Sequence, residues 1–77
     1  MNKLDIAIEE VDKLSYRVER MTLIVYQKKN AGIPESEYQE LSDALGNLKQ
    51  HLKNAEEALA NIKANIREEV INSIFDE

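Results

Sequence analysis

The chain has 77 residues, of which 43% are hydrophobic and 32% charged; it carries a net charge of −5 and no cysteine. This length allows one small domain, and the lack of cysteine excludes disulfides and thiolate metal sites. An acidic chain repels phosphate, so we expect no nucleic-acid partner; we also expect no signal peptide, no membrane span and a cytoplasmic location.

The first predicted element is a helix over residues 3–29. Its apolar residues recur at alternating steps of three and four, which is typical of a helix packed along another helix. These seam residues are Leu4, Ala7, Val11, Leu14, Val18, Met21 and Val25. Asn2 can cap the N-terminus, and Asn30 or Gly32 can adopt the left-handed conformation that ends the helix.

A loop over residues 30–33 precedes a second helix, predicted over 34–75. Pro34 suits the first helical position, while Ser36 with Gln39 offers a competing capping box. Apolar residues again follow steps of four and three along this helix. They are Leu41, Leu45, Leu48, Leu52, Ala55, Leu59, Ile62 and Ile66.

The two seams match each other when the chain is folded back on itself. Leu4 pairs with Ile62 and Val25 with Leu41, and the residue numbers of every such pair sum to 66. The midpoint of this pairing, residue 33, lies in the predicted loop. The sequence therefore predicts an all-α, antiparallel two-helix hairpin of the coiled-coil type, forming a single domain over residues 1–77.

Helix 1 has no residue left to pair beyond Ile62, so residues 63–75 are predicted to overhang. This overhang carries a broad apolar face, and large exposed apolar faces mark interaction sites. Its members are Ile66, Val70, Ile71, Ile74 and Phe75. Two alternatives remain at this point: the overhang bends back near Asn61 or Asn65 as a short third helix, or it is a frayed tail.

Helix 1 also has large apolar residues outside its seam, and a helix that is apolar on several faces usually contacts several helices. These residues are Ile6, Ile8, Tyr16, Leu23, Ile24 and Tyr26. We therefore expect self-association into a homodimer that forms a four-helix bundle. The predicted partner-binding residues are Ile8, Tyr16, Leu23 and Ile24 of helix 1 with the five apolar residues of the overhang.

No pattern in the sequence points to a catalytic, cofactor or metal site. His51 is the single histidine and lacks the further ligands that zinc requires. No serine has a His–Asp partner set, and there is no phosphate-binding glycine loop. We expect no enzyme and no small-molecule substrate. The basic residues Lys13, Arg17 and Arg20 form either a patch for an acidic partner or a solvated face.

In size and layout the chain resembles the small hairpin co-chaperones of type III secretion systems, in which a short turn joins two antiparallel helices. The resemblance is architectural, and no motif carries it. The sequence favours a non-enzymatic protein–protein interaction module. The alternatives are a small regulator, inhibitor or co-chaperone, of phage, plasmid or secretion type, that occupies a host protein, and a helical enzyme whose site forms only in an oligomer.

Overall fold

The computed structural model describes the backbone of residues 2–75 and the side chains of residues 2–74. It contains two α-helices, α1 over Lys3–Asn30 and α2 over Glu35–Phe75. Within the described part of the chain there is no β-strand, so the all-α prediction is confirmed there. The 28 residues of α1 and the 41 residues of α2 correspond to lengths of about 42 and 60 Å.

Both ends of α1 follow from local side-chain and backbone chemistry. The backbone N–H of Asp5 donates to Asn2 Oδ1 at 2.8 Å, which confirms the predicted N-terminal cap. At the other end the Gly32 N–H donates to the Lys29 carbonyl at 3.2 Å. Gly32 has a φ of +75°, the left-handed conformation in which glycine carries no steric penalty. The helix therefore stops where the glycine was expected to stop it.

The start of α2 lies one residue later than the predicted position. The helix begins at Glu35, and the Tyr38 N–H donates to the carbonyl of Pro34 at 3.1 Å. Pro34 thus accepts the first hydrogen bond of the helix from just outside it, instead of forming its first helical residue. Ser36 lies inside the first turn, so the competing capping box does not set the start.

The two helices pack against each other along the predicted seams. Leu14 and Val25 are buried, at 7% and 8% exposure. The other twelve residues of the seven predicted pairs are all half-buried. Among the remaining described side chains, four share this half-buried state; they are Ser15, Ile33, Tyr38 and Ser42. The contact between α1 and α2 therefore covers the residues that the heptad pattern selected.

Past Ile62, α2 continues as one unbroken helix to Phe75. Every described side chain from Lys63 to Ile74 is exposed. The alternative in which the chain turns back near Asn61 or Asn65 to form a third helix is therefore wrong. Neither residue breaks a helix, and α1 offers no partner beyond its own first turn. We refer to residues 63–75 as the overhang.

Neither helix combines the length and the apolar character that crossing a membrane requires, as far as the described residues extend.

Candidate protein–protein interface

The overhang presents four large apolar side chains to solvent. Ile66 is 41% exposed, Val70 54%, Ile71 45% and Ile74 64%. We call these four residues the C-terminal apolar face. Ile66, Val70 and Ile74 are spaced by four, which places them in one row along the helix surface, with Ile71 beside that row. Phe75, the fifth predicted residue, ends α2, but its side chain lies outside the described residues.

The predicted partner-binding residues of α1 are exposed as well, but they do not form one surface. Ile8, Tyr16, Leu23 and Ile24 all keep between 39% and 61% of their area in solvent. At 100° per residue, Ile8 and Ile24 point about 160° apart around the helix. A single flat partner cannot cover both of them. That these four residues bind a partner together with the overhang stays a prediction, and the angle between Ile8 and Ile24 means that such a partner would have to wrap around α1.

Two of these α1 residues do meet in a shallow groove beside the seam. Its volume is about 300 Å³, and its lining consists of Tyr16, Arg17, Arg20, Met21, Ile24 and Leu48. Met21 and Leu48 are half-buried seam residues, whereas Tyr16 and Ile24 remain exposed. The groove therefore has an apolar lining with two guanidinium groups at its edge.

Arg20 and Tyr16 interact directly at this groove. The guanidinium carbon of Arg20 lies 6.0 Å from the centre of the Tyr16 ring, a cation–π contact at the outer limit of the usual range. Tyr16, Arg20 and Ile24 are spaced by four and so form one row on α1. That spacing is the signal from which the groove could have been predicted, because it joins the basic residues to the off-seam apolar ones.

A second concave region lies where the two helices join. It measures about 440 Å³ and is lined by Lys28, Ile33, Glu37, Glu40 and Leu41. Close by, the ammonium group of Lys29 lies 5.7 Å from the centre of the Tyr38 ring. Tyr38 and Ile33 are both half-buried. This region therefore lies at the loop end of the helix pair.

The side chains that could take part in catalysis or metal binding are spread over the surface. His51 is exposed, and the described residues contain no group of three or more His, Asp or Glu side chains placed to hold a metal ion. Gly46 stands on an open part of α2, where an added Cβ would meet no atom within 4 Å. Within this single chain Gly46 is therefore not required by close packing.

Comparison of the chain with known protein families, with curated proteins and with solved structures found no match.

Proposed function

We propose that this protein is a non-enzymatic protein–protein interaction module, an antiparallel two-helix hairpin that self-associates through its C-terminal apolar face. The observation that carries the proposal is the overhang. It is a continuous helix that leaves the intramolecular seam after Ile62 and places four large apolar side chains in solvent. Exposed apolar faces of this kind mark surfaces that bind a protein or a membrane.

The antiparallel hairpin is supported by the dimensions of the molecule. The link over residues 31–34 spans at most about 14 Å, so α2 has to start beside the end of α1. The longest dimension is 66 Å, close to the roughly 60 Å length of α2 alone. Because α1 adds almost nothing to this length, the two helices lie side by side.

The strength of self-association can be bounded from the exposed fractions. Burying a whole Val or Ile side chain contributes about 1.5–3 kcal/mol, and the four residues of the C-terminal apolar face are about half exposed. Covering them contributes roughly 3–6 kcal/mol per chain, or roughly 6–12 kcal/mol for a pair. Association costs about 4–15 kcal/mol in lost freedom. The balance is therefore favourable by at most about 8 kcal/mol, so a dimer formed through this face alone has a Kd no lower than about 1 μM.

A four-helix bundle, in which two hairpins overlap along their length, stays a prediction. It would be tighter than contact through the overhang alone, because α1 residues would also be covered. Ile8 and Ile24 point to different sides of α1, however, so only one of them could face the second hairpin. For this reason the overhang, whose apolar residues lie together, is the surface that we propose for the dimer.

Static light scattering over a concentration series up to about 1 mM, where a dimer held by about 4 kcal/mol is half formed, tests self-association. We expect the mass to rise from the 8.8 kDa of one chain towards twice that value. Ile71→Asp with Ile74→Asp should keep the chain monomeric, while circular dichroism shows unchanged helix content. A wild-type chain that remains a fully helical monomer throughout the series would refute the proposal.

A matched control separates the overhang from α1. Leu23→Asp with Tyr26→Asp also replaces two exposed apolar residues three positions apart, and their exposure of 58% and 65% is similar to or greater than that of Ile71 and Ile74. We expect this variant to associate like the wild type. If only the α1 variant dissociates, then α1 and not the overhang is the contact surface.

The groove on α1 supports a second candidate function, a small regulator that occupies another protein. An apolar groove edged by Arg17 and Arg20 fits an amphipathic helix that carries carboxylates along one side. Under this alternative the wild-type chain would stay monomeric in the scattering series. Arg17→Glu with Arg20→Glu would then remove binding of an acidic amphipathic helix, while Lys49→Glu with Lys53→Glu would not.

A further inference from the structure

Three of the four residues of the C-terminal apolar face are arranged symmetrically along the helix. Ile66 and Ile74 each lie four positions from Val70, so they stand about 6 Å along the helix on either side of it. All three are exposed on an unbroken stretch of α2. A row of side chains spaced by four is the ridge with which helices most often interdigitate in globular proteins.

We infer that two copies of the chain pair through their overhangs in antiparallel orientation, with Val70 at the two-fold axis. This inference rests on the proposed self-association and adds its orientation and register. In a two-fold contact the same patch is used on both subunits, so the central residue meets its own copy. Val70 then faces Val70 of the second chain, and Ile66 of each chain faces Ile74 of the other.

The free length of the overhang matches this register. With Val70 at the axis, residue 75 of the second chain lies opposite residue 65, three positions beyond Ile62. Ile62 is the last half-buried residue of α2, and Leu4 near the start of α1 is its predicted partner. The residues that meet in this register, 66–74 of each chain, therefore all lie past the part of α2 that α1 covers.

A parallel pairing fits the same surface poorly. Ile66 follows Ile62 by one turn, so the apolar row begins close to the side of α2 that α1 covers. A parallel partner helix would continue back along that side and compete with α1 for it. It would also place Arg67, which lies beside Ile71 on the same side of the helix, next to its own copy, and like charges in such positions repel.

In the antiparallel register this repulsion is reduced. Arg67 lies opposite Ser73 of the second chain, so the two Arg67 residues are displaced by six positions, or about 9 Å along the axis. In the same register Ile71 lies opposite Glu69, and the two Glu69 residues are displaced by only two positions, or about 3 Å along the axis. Because a parallel pair would instead place every charged residue directly beside its own copy, the charge pattern still favours the antiparallel form.

Disulfide trapping tests this register directly, because the chain has no native cysteine. Residues 66, 70 and 74 are exposed. The variants Ile66→Cys, Val70→Cys and Ile74→Cys should therefore fold like the wild type, as checked by circular dichroism. A disulfide requires Cα atoms about 4.4–6.8 Å apart. In the antiparallel pair, residue 70 meets its own copy, whereas residues 66 and 74 each lie about 12 Å along the axis from their copies.

We expect Val70→Cys to form several-fold more covalent dimer in a glutathione buffer than either Ile66→Cys or Ile74→Cys alone. An equimolar mixture of Ile66→Cys and Ile74→Cys, with one chain lengthened by a tag, should give mainly the mixed dimer. Leu23→Cys, an exposed position on α1, measures the background from random collision. The Val70→Cys dimer should exceed that background several-fold.

Each other outcome overturns the inference. If all three overhang variants link to themselves equally and the mixture gives no excess of the mixed dimer, the helices pair in parallel. If none exceeds Leu23→Cys while the wild type doubles its mass in light scattering, self-association stands but uses another surface. If the wild type stays monomeric and no variant links above background, both the register and the proposed function fail.

Discussion

Gly46 offers a prediction in which the structure decides both the sign and the size of the effect. It lies inside α2, where an added Cβ would meet no atom within 4 Å. Replacing a mid-helix glycine with alanine removes backbone freedom from the unfolded chain and stabilises a helix by about 0.5–1 kcal/mol. For a domain of this size that corresponds to a rise in Tm of roughly 2–8 °C.

Gly32 provides the matched control, because the same substitution there should have the opposite sign. An added Cβ at Gly32 also meets no atom within 4 Å, yet its φ is +75°. Alanine in the left-handed region costs about 1–2 kcal/mol, so Gly32→Ala should lower the Tm. Since neither position is crowded, the difference between the two variants isolates the backbone conformation.

Thermal unfolding followed by circular dichroism at low protein concentration measures both effects on the single chain. A lower Tm for Gly46→Ala would refute the reasoning, because it would mean that the position is crowded. If Gly46→Ala raises the Tm of the dilute chain but weakens dimerisation in light scattering, then a second chain packs closely on Gly46. That result would contradict the proposal that the overhang alone forms the contact.

Three further predictions follow from the packing and the charges. Leu14→Ala should reduce the free energy of unfolding by about 2–5 kcal/mol in urea denaturation, because Leu14 is one of the two residues buried in the described part of the chain. Leu23→Ala, at an exposed position, should change it by less than about 0.5 kcal/mol. Asn2→Ala should lower stability by about 0.5–2 kcal/mol through loss of the cap, and Asn2→Asp should restore it. The Kd of the dimer in sedimentation experiments should change little with salt, because the proposed contact is apolar; a strong loss of affinity at high salt would instead indicate the Arg17 and Arg20 groove.

Much of the fold could be predicted, because a heptad pattern indicates which side of each helix packs against another helix. The seven predicted pairs contain all the described helical residues that the structure buries or half-buries except Ser15, Tyr38 and Ser42. Gly32 and Asn2 could be predicted from their local chemistry, which does not depend on the rest of the chain. The start of α2 was harder, since Pro34 can stand either just inside or just outside a helix.

The candidate interface was less predictable, because a single sequence does not show which exposed apolar residues a partner would cover. The off-seam residues of α1 were grouped by hydrophobicity alone, and their directions around the helix separate Ile8 from Ile24. The groove was missed because Tyr16 and Arg20 were assigned to different classes of residue. Their spacing of four, in one row with Ile24, shows that position on the helix was the more informative property.

The thin core would link the stability of this chain to the proposed self-association. Leu14 and Val25 are the only buried apolar residues among those described, and small helical chains often gain their remaining stability from oligomerisation. A dimer that buries Val70 and its neighbours stabilises the folded state by mass action, because the unfolded chain has no such row of side chains. Under the proposed self-association, the overhang would both recognise a second chain and supply burial that the two helices of one chain lack. On this argument the Tm of the wild type rises with protein concentration, whereas that of the Ile71→Asp, Ile74→Asp variant does not.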